Sequence, residues 1–181
     1  MRNKHFTKLK TKYDNFQNHL LRNGVLLAKD TKIGYWGVTP LQETYELFKL
    51  LNIGSYGSFL DIGSGDGRIV LLASLFGVES HGIEFDDWLV NSSILIKNSL
   101  KLPNQQIKLL QENFMDHDFS KYGLIFISPD KPLARKGLER KMLNELKGHL
   151  VVHGWEFQPT MLKKREEHII NGEKFCVYQK S

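Results

Sequence analysis

SFLDIGSGDGRIV, residues 58–70, is the stretch on which the reading of this 181-residue chain turns. It opens as an apolar run, SFLDI (58–62), and passes through Gly63, Gly65 and Gly67 at alternate positions. From Gly67 to Phe76 it continues as a helical pattern. Strand, glycine turn and helix in that order make a place for a ligand. The glycines let the backbone bend sharply and admit a ligand without Cβ clashes. The helix start aims free N–H groups and its positive dipole end at the same space.

Outward from this stretch, short apolar runs alternate with helical ones. ESHGIEF (79–85), IKLLQ (107–111), YGLIFIS (122–128) and HLVVHGWEF (149–157) read as strands. Residues 87–101 and 133–146 read as helices. That alternation predicts an α/β fold, a parallel sheet with helices on both faces. The consecutive apolar residues of LIFI suit a strand buried on both sides. At the end the pattern changes: REEHII (165–170) and EKFCVYQ (173–179) flank Asn171-Gly172, a strong short hairpin signal. The sheet is therefore expected to finish antiparallel. Upstream, Phe6, Leu9, Tyr13, Phe16 and Leu20 form one face of a helix over 5–21. Residues 29–37 read as loop. Thr39 as N-cap, with Pro40 at the first helical position, opens a helix over 41–51.

The spacing of the glycine loop narrows its ligand. A dinucleotide site wants G-x-G-x-x-G, whereas the third glycine here comes one residue early. Asp61 stands just before the loop and Asp66 within it. Carboxylates there repel phosphates and suit a cationic nucleoside such as S-adenosylmethionine, which carries an amine and a sulfonium. Glu84 ends the next strand, where a carboxylate reaches ribose hydroxyls. Phe85 or Asp86 beside it, and Asn113-Phe114 after the third strand, are placed to flank an adenine; Phe114 serves equally well as core.

These residues resemble class I S-adenosylmethionine-dependent methyltransferases over roughly residues 34–179. Within that class the chain is most similar to the small archaeal protein-lysine methyltransferases. Four segments carry the likeness: GVTP (37–40), DIGSGDGRIV (61–70), QENFMDHDF (111–119) and VVHGWEFQP (151–159). The resemblance implies a three-layer Rossmann-like sheet of seven strands, the last antiparallel. An N-terminal helical arm (1–33) would precede a methyltransferase domain (34–181). It also implies a cofactor set of Thr39, at the methionine end, with Asp61, Gly63, Ser64, Gly65, Asp66, Gly67, Glu84, Phe85, Asn113, Phe114 and Ser128. The expected acceptor is a lysine amine of a protein, with RNA or a small molecule as the alternative, or a binding role without turnover. The fourth strand departs from the family pattern, ending ISPDKP (127–132). Ser128-Pro129-Asp130 lacks the aromatic that base-amine methyltransferases stack on a flipped base. Trp36, with Tyr35, is a candidate for an apolar acceptor mouth or for packing of the arm. Asp130 is a candidate to orient an amine or to cap the following helix, and Glu156 to face the pocket.

Composition fits this picture. An apolar fraction of 41% and a charged fraction of 25% describe an ordinary globular chain. The net charge of +5 gathers at residues 2–12, 131–147 and 163–165, stretches that suit RNA contact or plain solvated faces. The single Cys176 has no partner cysteine, which with the histidine spacing argues against a metal site and for a reducing, cytoplasmic setting. No apolar run is long enough to span a membrane, and the basic N-terminus lacks the apolar core of a signal peptide. The oligomeric state is not encoded in any of these signals.

Overall fold

Phe59 and Leu60 are fully buried toward opposite faces of one strand, and the other elements are arranged around it. The computed structural model describes residues 2–32, 34–103, 106–129 and 136–181. In chain order the elements are α1 (Arg2–Arg22), β1 (Ala28–Asp30), β2 (Tyr35–Gly37), α2 (Leu41–Leu50) and β3 (Ser58–Ile62). Then come α3 (Arg68–Ser74), β4 (Glu79–Glu84), α4 (Asp87–Ser99), β5 (Ile107–Gln111) and β6 (Leu124–Ile127). The chain ends with α5 (Lys136–Glu145), β7 (His149–His153), β8 (Lys163–Ile170) and β9 (Glu173–Gln179).

The main sheet has seven strands in the order β5-β4-β3-β6-β7-β9-β8. β3 pairs in parallel with β4 on one side and β6 on the other, so the winding reverses there. Ligands of open α/β sheets bind beyond the strand ends at such a reversal. β9 lies antiparallel between β7 and β8, joined to β8 through Asn171 (φ 50°) and Gly172 (φ 90°). The expected terminal hairpin is therefore present, with both turn residues at positive φ. One face of the sheet packs Phe59, Phe126 and Val151 against Phe48 of α2, Leu71 of α3 and Leu9 and Tyr13 of α1. The other packs Leu60, Ile125 and Val152 against Leu138 and Met142 of α5.

Three boundaries differ from the sequence reading. The segment 29–37, expected as loop, contains the β1–β2 antiparallel ribbon, pairing Lys29 with Trp36. Strands of three residues are too short to show a periodicity. The helix expected to be capped by Thr39 begins at Leu41, with Pro40 in the cap position and extended (ψ 119°). The strand expected to reach residue 157 ends at His153, where Gly154 turns away at φ 88°. Among the described residues no helix is long and apolar enough to cross a membrane.

Candidate functional site

The glycine loop leaves β3 and is held from two sides. The N–H groups of Gly63 and Ser64 both donate to the Ile83 carbonyl of β4, at 2.9 Å each. Glu84, which ends β4, supplies the second hold. Its Oε2 accepts from Gly65 N (3.0 Å), and its Oε1 accepts from Phe85 N (2.8 Å) and Asp86 N (3.0 Å). A carboxylate has about four lone-pair sites, so capacity remains to accept from a ligand hydroxyl pair. Gly65 sits at φ 54°, and a Cβ there would come within 2.5 Å of the Trp36 ring. Gly63, at φ 69°, faces open space.

The two acids of the motif divide into different roles. Asp61 is 3% exposed, and no described residue donates a hydrogen bond to its carboxylate. Burial pushes its carboxyl well above the usual carboxylate range, and the charges of Glu84 and Asp66 push the same way. Asp61 is not among the residues that line the cleft beyond the loop. Asp66, expected at the mouth, is instead buried in a pair with Arg68: Nε donates to Oδ1 at 3.0 Å and Nη2 to Oδ2 at 2.5 Å. The guanidinium lies over the Tyr13 ring of α1, at 4.9 Å from its centroid. The Tyr13 hydroxyl donates to the Asp66 carbonyl at 2.9 Å. Asp66 thus fastens the loop to α1 rather than meeting a ligand.

Beyond the loop lies a cleft that opens to solvent. Gly63, Glu84, Phe85, Glu112 and Phe114 line it together with the ribbon residues Tyr35 and Trp36. Phe114 and Phe85 therefore reach the cleft as expected. Asn113 does not: it is exposed, and its Oδ1 accepts from Met115 N at 3.0 Å within a local turn. Ser64 is buried, its side chain against the Cα side of Gly82. Gly67 (φ 78°) packs against Ser93. Thr39 lies in a separate groove between α1 and the start of α2, its carbonyl accepting from Arg68 Nη1 at 3.4 Å. Asp86 caps α4 through Leu89 N (3.0 Å) and pairs with Lys29 of the ribbon.

Trp36 is 6% exposed, packed on Leu20 of α1, Leu89 of α4 and the edge of Trp88. It packs against the arm and also lines the cleft. The exposed aromatics at the mouth are Tyr35 and Phe85. Glu156 is exposed and away from the cleft lining. Asp130 lies outside the described residues.

Sequence reasoning missed a polar chain beside the loop. Ser128 Oγ meets His153 Nδ1 at 2.7 Å, and His153 Nε2 meets Glu173 Oε2 at 2.9 Å. The hint was a histidine closing the apolar run HLVVH, where the chain could have stayed apolar. Glu112 and the ribbon's Thr31 and Gly34, also at the cleft, carried no signal in the sequence.

No protein-family model matches this chain, and no curated protein matches it. Solved structures do. An RNA methyltransferase from Salinibacter ruber, in complex with S-adenosyl-L-homocysteine, matches at TM-score 0.69 and 21% identity, over 78% of this chain and 92% of that one. A magnesium protoporphyrin IX methyltransferase from Synechocystis with bound S-adenosylmethionine matches at TM-score 0.64 and 8% identity, over 77% and 79%. A putative methylase from Haemophilus influenzae matches at TM-score 0.57 and 18% identity, over 81% and 94%. The fold is that of the Rossmann-like methyltransferases, with its antiparallel seventh strand. The acceptors named for these neighbours are RNA and a porphyrin, and neither is a protein lysine.

Proposed function

We propose that this chain is an S-adenosylmethionine-dependent methyltransferase. The observation that carries the reading is Glu84, which lines the cleft beside a glycine loop whose Gly63 faces open space. The cofactor's ribose hydroxyls suit that carboxylate. Phe85 and Phe114 offer apolar surface for the adenine. When bound, this group supplies a methyl already activated on a sulfonium, so the protein's work is alignment. Here Gly63 lets the main chain approach, Glu84 fixes one end, and Tyr35 and Trp36 of the ribbon line the cleft.

For the acceptor we favour a lysine amine of a protein, supported by the GVTP, GDGR and WEF segments. RNA is the second reading, supported by the net charge of +5 and by the Salinibacter neighbour. The division into an arm (1–33) and a catalytic domain (34–181) belongs to the same proposal. A lysine must lose its proton first, which at neutral pH costs about 4–5 kcal/mol from a reference near 10.4. Labelled cofactor and a cell lysate, split into protease- and nuclease-treated halves, test the acceptor. Label lost to protease supports the lysine reading; label lost to nuclease overturns it. Gly65→Arg, strained at φ 54° and driven into Trp36, is expected to abolish cofactor binding and transfer.

A further inference from the structure

Every methyl acceptor with an N–H or O–H must release a proton, and nothing in the glycine loop takes one. The search for a group that does leads to the end of β6. Ile127 pairs with Ile62 of β3 and with Val152 of β7. That register sets Ser128 abreast of Gly63 on one side and of His153 on the other. Ser128 is half-buried and stands between Ile127 and Pro129, both of which line the cleft.

The hydrogen-bond directions follow from what each group can donate. An ionised Glu173 only accepts, so His153 Nε2 carries the hydrogen in the 2.9 Å contact. In neutral His153 the other nitrogen, Nδ1, then accepts, and Ser128 Oγ donates to it at 2.7 Å. The serine's own lone pairs are left to accept from an acceptor's N–H. His153 is 9% exposed, with its ring stacked on Phe175 (4.8 Å) and facing Phe126 (6.5 Å). Those rings fix the imidazole plane between its two partners. The Glu173 side chain is 42% exposed, which gives the far end of the chain a path to water. Nearby Lys174 is engaged elsewhere, over the Trp155 ring (4.2 Å) and beside Glu167 (3.4 Å).

We propose that Ser128, His153 and Glu173 form a proton relay that deprotonates the methyl acceptor. The acceptor arrives as an ammonium: one of its protons passes to Ser128 Oγ while the serine's proton passes to His153 Nδ1, which frees the nitrogen's lone pair. That pair then bonds to the methyl carbon as the carbon–sulfur bond breaks and its electron pair stays on sulfur. The resulting imidazolium faces Glu173, and the proton leaves to solvent from that side. Ser128 is then the group that touches the acceptor, and His153 and Glu173 act through it. This inference rests on the proposed methyltransferase activity, and the experiment keeps the two apart.

The test measures S-adenosylhomocysteine affinity by calorimetry and label transfer from S-adenosylmethionine to cell lysate from about pH 6 to pH 9.5. Wild type is compared with Ser128→Ala, Ser128→Thr, His153→Gln and Glu173→Gln, each first checked for a cooperative thermal melt. The relay predicts that Ser128→Ala and His153→Gln lower the saturating transfer rate by about 10²-fold, the typical worth of positioned acid–base catalysis. Ser128→Thr, which keeps the hydroxyl, retains most of the rate. Cofactor affinity in His153→Gln and Glu173→Gln stays at the wild-type value. The loss in His153→Gln shrinks as pH rises, because a larger share of the acceptor amine then arrives deprotonated. A merely structural histidine would give a loss that is flat with pH. Variants that transfer at the wild-type rate, or lose rate equally at every pH, overturn the relay. Wild type that neither binds the cofactor nor transfers label overturns the function itself and the relay with it.

Discussion

Asp61 is held in a setting that opposes its own charge, with burial and the charges of Glu84 and Asp66 all raising its pKa. The consequence for stability has a definite sign. A carboxyl whose folded pKa lies above its unfolded value, near 3.9, leaves the folded state holding more protons. Stability then falls as pH rises from that value through the folded pKa. Asp61→Asn removes the penalty. In the cofactor-free protein it is expected to raise the melting temperature at neutral pH, each ~1 kcal/mol of relief appearing as about 2–4 °C. The gain should disappear as pH approaches about 4, and thermal melts across pH measure both. A variant melting below wild type at neutral pH would show that the carboxylate is satisfied by the fold. At this scale the sequence was only partly legible. Glu84 lines the cleft from its place at the end of β4, whereas Asp61 is buried and is not among the lining residues. Asp66 looked equivalent to Asp61, but it pairs with Arg68 under Tyr13, and the residue holding that pair down is 53 positions away. Ser128 was expected on the cofactor, whereas its hydroxyl is turned to His153.

The helix α1 and the ribbon β1–β2 determine how the loop is presented. Leu9 and Tyr13 are fully buried in the core beneath the sheet, and Leu20 packs with Trp36. The amphipathic stripe of α1 was plain in the sequence, since a long helix repeats its pattern. What it covers was not, because side-chain partners are set by tertiary packing. Tyr13→Phe leaves the ring under Arg68 but removes the donor to the buried Asp66 carbonyl. An unsatisfied buried acceptor costs about 1–3 kcal/mol, and urea denaturation should show a loss of that size. An unchanged midpoint would mean that α1 lies over the loop without fastening it. The ribbon escaped sequence reading for a physical reason. Its three-residue strands earn their place through Trp36 packing on α1 and α4, and no local pattern encodes that.

Over the whole molecule, the sheet order reverses beside β3, and Gly63 of the glycine loop, Glu84 and the ribbon meet at the cleft there, while Thr39 and Asn113 lie away from it. The topology was legible because buried parallel strands and the Asn171-Gly172 turn leave strong marks. The acceptor was not, because ISPDKP (127–132), at the end of β6, matches no known acceptor motif. The central claim is that the cleft at this reversal binds S-adenosylmethionine through Glu84 and the loop. Calorimetric titration of wild type and Glu84→Ala with S-adenosylhomocysteine tests it most directly. The expected result is a saturable one-site isotherm for wild type and a loss of at least about tenfold in affinity for Glu84→Ala, about 1.4 kcal/mol. No heat of binding in wild type, or equal affinity in the two proteins, would contradict the assignment.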